Sequence, residues 1–385
     1  MSKLEELIQK LCPNGVEYKP LGELCEIKKG KQLNKDGLLE QGKYPVINGG
    51  INPSGYWNEY NFEKNLITIS QGGASAGYVN FITTRFWAGA HCYVLVNPKN
   101  CLNYRLLYHI VKNYEKELMS AQVGAGIPSV SSNKLTSLSI PVLPIEVQEE
   151  IVRILDKFTE LSAELSAELS ARKKQYNYFC DKLLTQSNHI SYKKVKDLAK
   201  FTYGFTDKAK DAGNVRYIRI TDIDETGCLK HDDKKFLNLS ENNHSYLLKK
   251  GDLVMARTGA TFGKTLYFED NEPAIYASFL IKIELDNNKI LNRFYWHFSK
   301  SSLYWEQANN LVSTGGQPQF NTGAIGQVVV PVPPLEEQKR IVAILDRFDK
   351  LCNDISEGLP AEIEARHKQY EYYRDKLLNF KEIAQ

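Results

Sequence analysis

The sequence predicts an α+β protein: two globular mixed domains separated by two long helical segments, arranged with pseudo-two-fold symmetry. Three observations carry this expectation. A pair of sequence blocks recurs about 190 residues apart. The stretches ahead of each block alternate short β-branched runs with helical ones. The blocks themselves place apolar residues at heptad-like spacing, which favours a pair of long helices packed as an antiparallel coiled coil.

The repeat is read directly. Residues 140–158, IPVLPIEVQEEIVRILDKF, and residues 330–348, VPVPPLEEQKRIVAILDRF, share Pro141, Val142, Pro144, Glu146, Gln148, Ile151, Val152, Ile154, Leu155, Asp156 and Phe158. A second block follows each copy: RKKQYNYFCDKLL at 172–184 and RHKQYEYYRDKLL at 366–378. Fainter echoes precede them. LITISQGGASAGYV at 66–79 aligns with DLVMARTGATFGKT at 252–265, VGAGIP at 123–128 with STGGQP at 313–318, and YKPLGEL at 18–24 with YKKVKDL at 192–198. A period this long is a duplication, not a solenoid. The expected division is a first mixed domain at 1–143, a helical spacer at 144–186, a second mixed domain at 187–333 and a second spacer at 334–385.

In the mixed domains, ITIS, YVLV, LVMA, FLIKIEL and VVVPV are apolar runs bounded by turn residues, and read as strands. Residues 103–118 and 292–310 read as helices. In the spacers, Pro144 and Pro334 stand just ahead of each helix, where proline is tolerated. From Ile151 the apolar stripe continues through Ile154, Leu155, Phe158, Leu161, Leu165, Leu169, Tyr176, Phe179 and Leu183. Gly358, Leu359 and Pro360 should break the second spacer. The first instead carries tandem Ser-Ala-Glu-Leu copies at 162–165 and 166–169, and each copy adds ~6 Å and about 1.1 turns to a helix. That is the pattern of a ruler with four-residue steps.

Composition is that of a soluble globular chain, with 42% hydrophobic and 25% charged residues. A net charge of +3 permits a nucleic-acid partner without demanding one. The seven cysteines show no C-x-x-C spacing, so neither a disulfide framework nor a zinc site is expected. No signal peptide or membrane span is evident, and a cytoplasmic location is expected. The histidines lack any metal-ligand spacing; His91, within WAGAHCYVL, is expected as a hydrogen-bonded core residue. The tyrosines on the spacer ends, Tyr176, Tyr178, Tyr370, Tyr372 and Tyr373, are expected to pack.

At the P-x-x-P-x-E-x-Q-x-x-I-V-x-I-L-D-x-F block, the K-Q-Y-x-Y-x-x-D-K-L-L helix end and the duplicated order of domain and spacer, the chain resembles the specificity subunits of type I restriction-modification systems. The resemblance covers the whole chain. It implies two target-recognition domains, each reading half of a bipartite double-stranded DNA site. It implies helices that set the gap and dock two methyltransferase subunits carrying S-adenosylmethionine, with separate restriction and translocase subunits that use ATP and Mg. The chain itself is then not an enzyme. Consistent with that, a [DN]-P-P-[YF] loop for a flipped adenine is missing, since Asn52-Pro53 and Asn97-Pro98 lack the second proline. Gly259-Ala-Thr-Phe-Gly263-Lys264-Thr265 is one residue short of a P-loop and leads into LYFED, which reads as a strand. A self-contained restriction or modification enzyme with an unrecognised site, and a protein scaffold without a DNA role, are the alternatives.

Arg and Lys suit guanine O6/N7, and Asn and Gln suit adenine N6/N7. Polar residues on expected loops are therefore the DNA-binding candidates: Lys29, Lys31, Gln32 and Gln71 in the first domain, and Lys208, Arg219, Arg257, Thr258, Lys264, Gln317 and Gln319 in the second. Lys28, Asn48 and Lys210 belong to the same sets. Because the two domains differ at such positions while the spacers agree, an asymmetric target is expected. Candidates for the coiled coil and for partner docking are Gln148, Ile151, Leu155 and Phe158, with Gln338, Ile341, Leu345 and Phe348. No catalytic or metal-binding residue is expected.

Overall fold

The computed structural model describes residues 3–34, 37–120, 128–186, 189–313, 316–354 and 357–383. The chain forms two compact units, Met1–Glu164 together with Glu364–Gln385, and Leu165–Ile363. The division runs through the helical spacers, so each unit is one mixed domain plus helix from both spacers. Its first boundary falls inside the tandem Ser-Ala-Glu-Leu copies. Residues 123–127, Thr314 and Gly315 of the fainter repeat lie outside the described residues.

In the first unit a four-stranded antiparallel sheet has the order Glu26–Lys29, Cys92–Val96, Leu66–Ser70, Val79–Ile82. A second sheet sets Tyr44–Ile47 between antiparallel Gly55–Trp57 and parallel Trp87–Ala88. These are the β-branched runs flanked by turn residues, and their inward faces are buried. Helix Tyr104–Asn113 covers the four-stranded sheet, capped by the Asn103 side chain on the amides of Arg105 and Leu106. Strand Glu17–Pro20 pairs with Ser139–Val142, which tethers the start of the domain to the chain just before the spacer. The chain ends close the unit: Val16 N donates to Lys381 O, Ile383 N to Val16 O, and Tyr18 OH to Phe380 O.

The second unit repeats this topology strand for strand. Ala199–Tyr203, Leu280–Leu285, Leu253–Ala256 and Thr265–Tyr267 form the four-stranded sheet, and Val215–Ile218 lies between Phe236–Leu237 and Ala274–Tyr276 in the three-stranded one. Ser191–Lys194 pairs with Val329–Val332. The strands expected at ITIS, YVLV, LVMA, FLIKIEL and VVVPV are all present. The helical stretches are split: Tyr104–Asn113 and Glu115–Ser120 in the first unit, Asn292–Phe298 and Ser302–Leu311 in the second.

The first spacer is one helix, Ile145–Thr185. The second is two, Leu335–Asn353 and Leu359–Leu378, interrupted just ahead of Leu359 as its glycine and proline require. Both spacers start on their prolines: Val147 N and Gln148 N donate to Pro144 O, and Glu337 N and Gln338 N to Pro334 O. Within the first unit Phe158 stacks on Tyr373 with ring centroids 5.3 Å apart; within the second Phe179 stacks on Phe348 at 5.7 Å. In each unit, then, helix from one spacer packs on helix from the other. Leu161, Leu165 and Leu169 are only half-buried while the intervening Ala163, Glu164, Ala167 and Glu168 are exposed, so no residue of the tandem copies is buried.

Candidate nucleic-acid interface

Strand register aligns the two mixed domains residue by residue. Ile67 pairs with Leu95 as Leu253 does with Ile283, and Lys29 pairs with Tyr93 as Tyr203 does with Ile281. Gln71 thus corresponds to Arg257, Lys29 to Tyr203, Asn48 to Arg219, His91 to Phe279, and Ser129 to Gln319. Five backbone bonds repeat around these positions. Gln71 N donates to His91 O (2.9 Å), and Arg257 N to Phe279 O (3.0 Å). Val130 N donates to Gln71 O (2.8 Å), and Phe320 N to Arg257 O (2.7 Å). Gly73 N and Gly259 N donate to Pro128 O and Pro318 O; Gly77 N and Gly263 N to Ser70 O and Ala256 O. Gly30 N and Gly204 N donate to Cys92 O and Leu280 O. Gly73 and Gly77, like Gly259 and Gly263, have φ between 68° and 93°, in the left-handed region. The Gly-rich turn is therefore a duplicated structural turn. The segment after Gly263 is a strand, Thr265–Tyr267, so Lys264 has no helix N-terminus beside it.

On this constant frame the side chains differ. In the second domain the Arg257 guanidinium lies over two exposed rings, 5.2 Å from the centroid of Tyr203 and 5.5 Å from that of Phe279. Its Nε donates to Ser278 O (3.0 Å), and Nη1 lies 3.5 Å from Gln319 Oε1. Arg219 is committed elsewhere: its fork grips Asp222 (Nε to Oδ2 3.1 Å, Nη2 to Oδ1 2.7 Å) and it also reaches Asp233. Lys264 is paired with Glu225 at 2.5 Å. Thr258 is buried, with its backbone bridged to Gln319. Gln317 and Lys208 are exposed.

In the first domain Lys29, Lys31 and Gln32 are exposed, and the Gln32 amide donates to Leu33 O. Gln71 is half-buried, and its Oε1 is buried with no hydrogen-bond partner. The expectation of a core His91 is corrected: the residue is exposed. It sits on the turn ahead of strand Cys92–Val96 rather than in it, where Asn48 Oδ1 accepts its backbone N–H at 3.1 Å. Tyr203 and Phe279 escaped the sequence reading; extending the repeat alignment through Gly30 and Gly204 would have placed Tyr203 opposite Lys29.

The spacer residues expected at partner surfaces lie inside the chain. Gln148 is fully buried; its amide donates to Cys101 O (2.7 Å) and Leu143 O (2.6 Å), and its Oε1 accepts from Asn103 N (2.6 Å). Gln338 repeats this with Lys289 O (2.9 Å), Pro333 O (2.8 Å) and Leu291 N (2.9 Å). Ile151 and Leu155, like Ile341 and Leu345, are fully buried in the core of their own mixed domain. At about 1.5–3 kcal/mol for each fully buried side chain, these residues root the spacers; they do not offer a free docking face. Phe158 and Phe348 lie on the helix–helix contacts described above.

Beside each root lies a polar network that the sequence reading missed. His109 Nε2 contacts Asp156 Oδ1 (2.9 Å) and its Nδ1 contacts Tyr370 OH (2.9 Å), while Arg105 Nε donates to the same carboxylate oxygen (2.7 Å). In the second unit His297 contacts Asp346 (2.7 Å) and Tyr176 OH (3.0 Å), and Arg293 Nε donates to Asp346 (2.8 Å). Burial lowers the pKa of both histidines, against the pull of their aspartates. Burial raises the pKa of Asp156 and Asp346, but the His and Arg hydrogen bonds outweigh it and hold both below the ordinary carboxylate value. Each network joins the Asp of one spacer to the Tyr of the other, so two repeated motifs are explained by one contact made twice. Tyr178 and Tyr372 meet the rings of Phe179 and Tyr373 edge-on, with centroids 5.4 Å apart in each case, and are otherwise 60% and 61% exposed.

A duplicated frame with constant roots and variable edges defines a tandem recognition protein, and relatives say of what kind. The model of the type I restriction modification DNA specificity domain matches residues 13–172 and 189–365. A protein named as a type I restriction enzyme specificity subunit in Haemophilus influenzae is 32% identical over 98% of both chains. The EcoR124I/EcoR124II specificity subunit of Escherichia coli is 30% identical, covering 99% of this chain and 97% of its own. In fold, a type I S subunit from M. genitalium matches with a TM-score of 0.60 at 20% identity, over 94% of this chain and 96% of that one. The chain belongs to the type I restriction-modification specificity subunit family.

Proposed function

We propose that the chain is the non-catalytic, DNA-reading member of a type I restriction-modification complex. Each mixed domain reads one half of an asymmetric bipartite site, and the spacers set the gap between the halves. The carrying observation is the duplicated frame of backbone bonds bearing different side chains at five corresponding positions. Phosphate contacts position such a protein, and base-edge contacts specify the sequence. The partners are double-stranded DNA, two methyltransferase subunits carrying S-adenosylmethionine, and restriction subunits that use ATP and Mg. Tyr178 and Tyr372, exposed at equivalent positions of the repeated helix-end motif, support two equal docking faces. Among the described residues no helix is long and apolar enough to cross a membrane, which is compatible with a cytoplasmic complex.

The test is a genome-wide map of methylated adenine in cells expressing this chain with its companion methyltransferase, against the methyltransferase alone. A split motif with a fixed gap and unlike halves, present only with this chain, is expected. Identical inverted halves would remove the asymmetry, and methylation by this chain without its companion would make it an enzyme. Inserting one further Ser-Ala-Glu-Leu copy after Leu169 adds ~6 Å of helix, so the gap should lengthen by about one or two base pairs, at 3.4 Å each, with both half-sites unchanged.

A further inference from the structure

We propose that Arg257 reads a guanine in the half-site of the second domain and that Gln71, at the same place in the duplicated frame, reads an adenine in the half-site of the first. The proposal rests on the DNA-reading role above and narrows it from a surface to two positions.

Three observations single out Arg257 among the arginines and the turn lysine of the candidate set in its domain. The first is that the other two are occupied: Arg219 spends its fork on Asp222 and Asp233, and Lys264 is paired with Glu225, while Lys208 and Gln317 are exposed with nothing among the described residues to hold their side chains in place. Arg257, by contrast, has no carboxylate partner among the described residues. The second is that its guanidinium is already held. Nε is anchored on Ser278 O, and the guanidinium lies over the Tyr203 and Phe279 rings, which are 43% and 52% exposed. Large exposed rings gripping a cation fix a long side chain before any ligand arrives, which lowers the entropy lost on binding. Among the described residues Nη2 has no acceptor, and Nη1 has only the 3.5 Å approach of Gln319 Oε1. Two terminal donors at the end of a fixed fork match the O6 and N7 acceptors of guanine.

The third observation is the frame itself. Gln71 holds the same backbone bonds as Arg257 and has a buried Oε1 that lacks a donor. The side chain bonds Tyr93 in this state; turned outward, the same carboxamide offers one donor and one acceptor together, which match the N7 and N6 amino group of adenine. The corresponding positions differ in the same sense: polar Lys29 and His91 stand where the rings of Tyr203 and Phe279 do.

The methylation map described above tests this with Arg257→Lys, Arg257→Gln and Gln71→Ala. Arg257→Lys keeps the charge and loses the fork. It should still methylate with the wild-type gap and the wild-type first half-site, while discrimination at one guanine of the other half falls about ten- to hundred-fold, the worth of a bidentate pair. Arg257→Gln should loosen the same position and no other, and Gln71→Ala should loosen one adenine in the opposite half. A motif unchanged at every position in these variants overturns the proposal while leaving the specificity-subunit reading intact; no split motif with the wild-type chain would instead overturn that reading. Should an Arg257 variant not methylate, the wild-type complex decides. Its affinity for duplexes with single guanines replaced by 7-deazaguanine, which lacks the N7 acceptor, should drop at one position of the second domain's half-site. No sensitive guanine there sinks the assignment.

Discussion

The roots of the spacer helices and the outer edges of the sheets respond in opposite ways to the same duplication. At the roots Gln148 and Gln338, Ile151 and Ile341, Leu155 and Leu345, and Asp156 and Asp346 are the same residues making the same contacts. At the edges Lys29 and Tyr203, Asn48 and Arg219, Gln71 and Arg257, His91 and Phe279, and Ser129 and Gln319 differ at every position, while the backbone bonds beneath them repeat. At a root the side chain itself completes buried backbone groups, and leaving a buried donor or acceptor unmade costs about 1–3 kcal/mol each. At an edge the backbone completes itself, so the side chain can change without cost to the fold. Duplication then yields two supports of one design and two sets of edge positions free to differ.

The sharpest break in this comparison comes from a charge at a root. Ile151→Asp or Ile341→Asp places an unpaired carboxylate in a closed core and should cost about 4 kcal/mol or more, seen as loss of the folded chain in urea unfolding. A folded Ile151→Asp chain that fails only in assembling with its partners would return that residue to a docking surface. Next in size, Gln148→Leu or Gln338→Leu strands two carbonyls and one amide and should cost about 3 kcal/mol, with equal losses in the two copies when midpoints are compared. Tyr176→Phe and Tyr370→Phe each remove one hydroxyl from a buried histidine, for about 1 kcal/mol. Unequal effects of the last pair would show that the two networks, alike in geometry, differ in strain.

The smallest effect is on pH. His109 faces Asp156, Arg105, Tyr370 and Arg374, and His297 faces Asp346, Arg293, Tyr176 and Lys300. Both histidines have lowered folded pKa values, so the unfolded chain takes up their protons first as the solution is acidified. Their contribution to stability is present above the unfolded His value of about 6.5 and is lost as pH falls through the lowered folded values. The lowered values of Asp156 and Asp346 act in the same direction, but only from about pH 3.9 downward. The urea midpoint should therefore decline between neutral pH and pH 5, and a His109→Asn, His297→Asn chain should show a flatter profile. A wild-type midpoint constant over that range would mean that the rings are not held neutral.

Much of this was legible in one dimension because a duplication writes its constraints twice. The strands, the proline-led helix starts and the break ahead of Leu359 follow from local pattern alone. The site was only partly legible. Arg257 and Gln71 were among the candidates as polar residues on expected loops, but so were Arg219, Lys264 and Thr258, which pairing or burial removes. No local pattern distinguishes an arginine held by its neighbouring aspartate from one lying over two rings, one at the end of a strand and one on a turn. Nor does the heptad stripe reveal which of its residues face a helix and which face a sheet: Ile151 and Leu155 read like Phe158 and do something else.

The sequence alone determined the duplication, the α+β class, the helical spacers with their four-residue steps, and the family, since each is a matter of spacing along the chain. The tertiary structure decided that each compact unit combines helix from both spacers, that Gln148 and Gln338 are latches, that His109 and His297 tie the Asp of one spacer to the Tyr of the other, and that Arg257 lies over the rings of Tyr203 and Phe279. Those facts depend on groups far apart in sequence meeting at hydrogen-bond distance, and such distances are set by strand register and packing, not by the spacing of residues along a chain.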